Sequence, residues 1–197
     1  MYSLIRFALF FVFFLLLCLV LPRRKHINKR KRYLIYAALC FALFAISHYY
    51  PIENALCTFH TPDEVFHYTN FEKMSYLIDG EESCMIVYPT GKSTYSIDFI
   101  GKRDDGYTIL PEHGTGMVSR KNDENGIIAV YQVEGTADFY IVATFWEHAS
   151  MIVYNESGMV NTDIVTIDNS GLCYFHVHNL SDSHYLLLDG KKVGIYS

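Results

Sequence analysis

The sequence predicts a membrane-anchored, mainly β (α+β) protein: an N-terminal transmembrane helical hairpin followed by an antiparallel β-sheet, sandwich or open-barrel domain with one short helix. Three observations predict it. Two long apolar runs fall within the first 50 residues, glycine-centred turn pairs recur along the remainder, and charge divides sharply between the two parts. Residues 1–51 carry eight of the 16 Lys and Arg and no Asp or Glu, whereas residues 52–197 carry all 21 acids and a balance of −13. A basic apolar head on an acidic body has two different environments to satisfy. The acidic body also argues against a nucleic-acid partner, since phosphate binding needs clustered Lys and Arg, and favours cationic or neutral ligands.

The first apolar run, residues 2–21, is broken only by Arg6. Twenty helical residues rise about 30 Å, the thickness of a bilayer core. Pro22 closes the run, and loop 23–32 follows with Arg23, Arg24, Lys25, Lys29, Arg30, Lys31 and Arg32. The second run, residues 33–50, places Tyr33, Tyr36, Tyr49 and Tyr50 where interfacial aromatics belong and stops at Pro51. A cleavable leader fits poorly, because no small-residue cleavage site follows Leu21 and the strongest charge lies behind the apolar run. Positive charge is retained in the cytoplasm, so the expectation is a double-pass plasma-membrane protein. In it loop 23–32 is cytoplasmic, while the N-terminus and domain 52–197 are extracytoplasmic. The lipid bilayer is then the expected partner of residues 2–21 and 33–50, with an envelope or membrane protein as a further candidate partner. Ala38, Ala42 and Ala45 put small residues on one face of the second helix, which suits close helix packing.

Past Pro51 the composition changes to alternating apolar and polar residues. Thr61-Pro62-Asp63-Glu64 offers an N-cap, a proline at the first helical position and a glutamate placed for a capping box, predicting a helix from about Pro62 to Asn70. Val65, Phe66 and Tyr68 would be its buried face. Turn pairs then occur at Asp79-Gly80, Thr90-Gly91, Asp105-Gly106, Asn125-Gly126, Glu134-Gly135, Ser157-Gly158, Ser170-Gly171 and Asp189-Gly190. Between them, β-branched and aromatic runs predict strands at Ser83–Tyr88, Ser93–Ile100, Ile127–Val133, Asp138–Trp146, Leu172–Asn179, His184–Leu188 and Lys192–Tyr196. Tyr140–Trp146 has almost no polar alternation, which predicts a central strand covered on both faces. The last two strands should form a hairpin with a tight turn at Asp189-Gly190-Lys191. A body of about 146 residues is long enough to bury its own core without disulfides.

The two-helix head, its basic loop and the segment Phe59-His60-Thr61-Pro62-Asp63-Glu64 through Tyr68 resemble small uncharacterised membrane proteins of Gram-positive bacteria. The resemblance covers about the first 80 residues, implies a cell-membrane location and implies no activity.

Among reactive residues, histidine is the most suggestive. His176 and His178 flank Val177 on a predicted strand, so both rings leave one sheet face and could chelate a transition metal with His60, His67, His113, His148 or His184. Any strand with two histidines produces such spacing, and the expectation is satisfied histidines with no metal and no cofactor. Cys57, Cys84 and Cys173 lie in the body, an odd count that leaves a disulfide open, and the default is a buried bridge or packed thiols. A Cys-His transpeptidase resembling a sortase would need an arginine after its nucleophile, and the last arginine, Arg120, precedes Cys173. No serine-hydrolase motif or phosphate-cradling glycine loop occurs. Glu81-Glu82, Asp104-Asp105 and Asp123-Glu124 sit at turns, where a solvated face is the expectation. No catalytic residue is identified. The function expected is therefore a non-enzymatic binding or accessory module. The alternatives are a cell-envelope hydrolase using a His-bound metal or a carboxylate pair, and a subunit of a membrane complex acting through its helices.

Overall fold

The computed structural model describes residues 2–20, 29–92, 94–111, 114–123, 126–145, 151–160, 162–167, 171–188 and 190–195. Trp146, His113, His148 and residues 23–28 of the basic loop lie outside them. Helices α1 (Tyr2–Val20) and α2 (Lys29–Tyr49) lie against each other, with Phe44 edge-on to Phe7 and Phe10 at ring separations of 6.1 and 5.9 Å.

The transmembrane hairpin expected at 2–21 and 33–50 is corrected: among the described residues, no helix is long and apolar enough to cross a membrane. Length and charge explain it together. In α1 the charge-free stretch is Phe7–Val20, which rises about 21 Å against a bilayer core of about 30 Å. Helix α2 begins on Lys29-Arg30-Lys31-Arg32, leaving Tyr33–Tyr49 at about 26 Å. Arg6 is a buried side chain, donating to the Ser47 carbonyl and forming an ion pair with Glu53 (Nε–Oε1 2.9 Å). The double-pass plasma-membrane location and the inside–outside assignment built on loop 23–32 fall with the spanning helices.

After a 3₁₀ turn at Ile52–Ala55 and helix α3 (Pro62–Thr69), thirteen strands among the described residues form three antiparallel sheets. The first sheet runs β1 (Tyr76–Asp79), β2 (Ser83–Pro89), β3 (Tyr95–Arg103), β4 (Gly106–Ile109), a plain meander. The second has the order β10 (Val165–Ile167), β11 (Leu172–His178), β7 (Asp138–Phe145), β6 (Gly126–Val133), β5 (Thr115–Asp123). The third joins β13 (Lys191–Gly194), β12 (Tyr185–Leu188), β8 (Met151–Asn155) and β9 (Gly158–Met159).

Strand parity shows how these stack. On β11, Cys173, Phe175 and Val177 join Val153, Leu186 and Val193 of the third sheet, and Ile195 just past β13, in one core cluster. The opposite face of the second sheet, with Val133, Tyr140 and Tyr174, packs on Ile78, Met85 and Val87 of the first. Cys84 and Ile86, pointing the other way from β2, meet Val65 and Phe66 of α3. The body is therefore layered as α3, first sheet, second sheet, third sheet. This explains why Ser83–Val87 is buried without alternation, and why β7, third of five strands, is covered on both faces. Gly106 (φ +146) closes the β3–β4 turn so near the Phe59 carbonyl oxygen that any Cβ would collide with it.

Candidate functional site

The site forms where β7 and β11 run side by side. Their antiparallel register sets His178 opposite Asp138 and His176 opposite Tyr140. Cross-strand partners share a sheet face, as do residues two apart, so these four side chains project together toward the first sheet. The β1–β2 turn, Gly80 to Glu82, folds over them.

Asp138 is the hub. Its side chain is fully buried, yet its carboxylate is rich in partners. Oδ2 accepts from the Ser83 hydroxyl (2.7 Å) and the Glu82 N–H (2.8 Å). Oδ1 accepts from His176 Nε2 (2.8 Å), His178 Nδ1 (3.1 Å) and the Glu81 N–H (3.3 Å). An ionised carboxylate only accepts, so both ring nitrogens facing it carry hydrogen. Burial alone would push its pKa up, but hydrogen bonds from His176, Ser83, His178 and Glu82 outweigh that and hold the group well below the usual carboxylate range. Since Ser83 donates its one hydroxyl hydrogen to Asp138, the 2.9 Å contact to Tyr140 has the phenol as donor. Burial pushes the Tyr140 hydroxyl up, keeping it protonated for that role.

The turn is fastened from both sides. Glu82 accepts the Ala137 N–H (2.8 Å), so the two segments exchange a carboxylate for a backbone donor in each direction. Lys102 Nζ reaches from β3 to the Gly80 carbonyl (2.6 Å) and to Asp79 Oδ1 (2.7 Å). Burial would lower the Lys102 pKa, but the hydrogen bond and charge of Asp79 prevail and raise it. At Gly80 an added Cβ would run into the Tyr140 hydroxyl, Asp138 Oδ2 at 2.7 Å and the His176 ring at 3.0 Å, so the turn can approach only because that residue has no side chain.

A groove of about 440 Å³ opens beside this hub. It is lined by His176, Val177 and His178 of β11, by β1 with Gly80 and Glu81, and by Val160, Thr162, Asp163 and Val165. Both imidazoles are part-buried, 14% and 27% exposed, so each has a buried edge on Asp138 and a reachable edge in the groove. Glu81 Oε2 stands 3.5 Å from His178 Nε2.

Of the sequence-derived candidates, His176 and His178 do come together. Their partner is Asp138 rather than another histidine. His60 and His67 stay exposed by α3, and His184 is buried with its Nδ1 on Ser181. Cys57, Cys84 and Cys173 are all free thiols, so the disulfide left open is absent, and Cys84 and Cys173 face different core clusters. Burial pushes the Cys84 thiol up to about 12 and also raises that of Cys173, which keeps both protonated and unreactive. Glu81-Glu82 is not merely a solvated turn, since its backbone and Glu82 hold the hub. Asp138, Ser83 and Tyr140 were missed. The available signal was an acid heading an otherwise apolar predicted strand. Comparison with family models, characterised proteins and solved structures finds no match to this chain.

Proposed function

We propose that the protein is a binding module, and that its β-rich body takes a cationic ligand in the groove over Asp138. One observation carries this reading. The charged and ionisable side chains lining the groove are Asp79, Glu81, Asp163 and two histidines, with no Lys or Arg among the described lining residues. Adjacent Lys102 is engaged by Asp79 and the Gly80 carbonyl. A concave site with converging carboxylates and imidazoles on rigid strands attracts positive charge, and the −13 balance of residues 52–197 adds a long-range field of the same sign.

The test is calorimetric titration of the full chain with cations, from spermidine to divalent metal chlorides, beside anions of similar size. A cation should saturate about one site per chain. Removing two groove charges, Glu81→Gln with Asp163→Asn, should weaken spermidine binding about 2- to 20-fold at low salt. Binding by no cation, or equal binding of anions, refutes the reading.

A second reading, hydrolysis in the same groove, is favoured by the buried carboxylate that orients two imidazoles, an arrangement suited to a general base. Ser83 and Tyr140 are buried and committed to Asp138, and Thr162 donates to the His176 carbonyl at 2.6 Å. The nucleophile would then be water. Ester or amide turnover that disappears in His176→Gln would favour this reading over simple binding.

A further inference from the structure

We infer that Asp138, His176 and His178 form a binding site for a divalent first-row transition-metal ion of the zinc type. The inference rests on the groove reading and names its cation. The three residues each offer one ligand atom, and these atoms all lie within 4.8 Å of one another.

The geometry is close to what such an ion requires. Ligands about 2.0–2.2 Å from a tetrahedral zinc stand about 3.3–3.6 Å apart. Asp138 Oδ1 is now 2.8 Å from His176 Nε2 and 3.1 Å from His178 Nδ1, so openings of about 0.5–0.8 Å and 0.2–0.5 Å admit the ion. Ser83 and the Glu82 N–H occupy Oδ2, whereas Oδ1 carries beside the imidazoles only the longer Glu81 N–H contact (3.3 Å), which makes Oδ1 the oxygen for the metal. Each imidazole then carries its hydrogen on the other ring nitrogen and stays neutral. For His178 that nitrogen is Nε2, 3.5 Å from Glu81 Oε2, and an outer carboxylate of this kind is the usual orienting partner of a ligating histidine. Glu81 is accordingly a positioning residue. Two imidazoles with one carboxylate suit zinc, cobalt or iron(II), whereas calcium and magnesium prefer all-oxygen shells. Both histidines line the groove while Asp138 lies behind them, so the ion sits at the inner edge of the two imidazoles and is reached from the groove past them.

The test uses the full chain freed of metal by chelator, then titrated with Zn²⁺ alone and assayed for bound metal after dialysis. Wild type should retain one equivalent and unfold at higher temperature with zinc. His176→Gln and His178→Gln should each weaken binding at least as far as the roughly 10- to 100-fold that loss of an outer-shell partner costs, and Glu81→Gln should fall within that range. Folding of each variant is checked by its far-ultraviolet circular dichroism. Cobalt(II) in place of zinc should give visible absorption bands of a low-coordinate site in wild type and in Glu81→Gln. No stoichiometric ion, or zinc binding unchanged in both histidine variants, overturns the assignment. If spermidine still binds where zinc does not, the metal assignment alone fails; if no cation binds, the groove reading fails with it.

Discussion

Asp138 accepts hydrogen bonds from Glu81, Glu82, Ser83, His176 and His178, joining the β1–β2 turn to β11 through one carboxylate. A buried charge is tolerable only when its lone pairs are filled, and here they are. At the same scale Cys84 illustrates the opposite solution, a titratable group buried among apolar neighbours and kept neutral. Its thiol is pushed up to about 12 by burial, against an ordinary value of 9.0. In the unfolded chain the thiol ionises near the ordinary value, so the unfolded state loses its proton first as pH rises. The stability tied to this group is therefore complete below about pH 9 and is lost progressively between about 9 and 12. Urea midpoints at pH 8, 10 and 11 should fall more steeply for wild type than for Cys84→Ala. Equal slopes would mean that the buried thiol contributes nothing to alkaline unfolding.

At the scale of elements, α3 starts where its local chemistry directs. Thr61 Oγ1 accepts the Glu64 N–H (3.2 Å), Pro62 occupies the first turn, and the Glu64 carboxylate takes the His60 N–H (2.6 Å). The reciprocal bond lands one residue earlier than in a standard capping box, so the Glu64 carboxylate serves the His60 N–H in place of the Thr61 N–H. Thr61→Ala should cost about 1 kcal/mol, or roughly 2–4 °C in Tm for a chain of this size, read by urea and thermal unfolding. No change would show that the packing of Val65 and Phe66, rather than the cap, holds the helix. The strands behave similarly. Runs of β-branched and aromatic residues at 83, 127, 138 and 172 form strands within a residue or two of the expected starts. Strands β1, β4, β5 and β8 to β10 were not singled out because they are short, or, like β5 with Arg120, Lys121 and Asn122, polar and partly exposed, so tertiary pairing decides them.

At the scale of the molecule, the helical hairpin is tied to the body by the buried Arg6–Glu53 pair, and the body is held by three core clusters without a disulfide. A reductant should therefore leave Tm unchanged. A thiol reagent should label exposed Cys57 in the native body, and Cys84 and Cys173 only after denaturation. A fall in Tm with reductant would reveal a bridge between those residues. The acidic body, its β character, the capped helix and the shared face of His176 and His178 are local properties of composition, turn residues and period-2 spacing, so the chain determines them by itself. The membrane span did not survive, since no helix among the described residues is long and apolar enough to cross, and the sequence showed Arg6 in the first run without disclosing that it meets Glu53, 47 positions away. The site was half legible for the same reason. The sequence could place two histidines on one face, but pairing of β7 with β11 and the fold of the β1–β2 turn bring Asp138, Ser83 and Glu81 to them from 38 to 97 residues away. Convergence over such separations depends on register and layer packing, which are set by the whole core and not by any local stretch of chain.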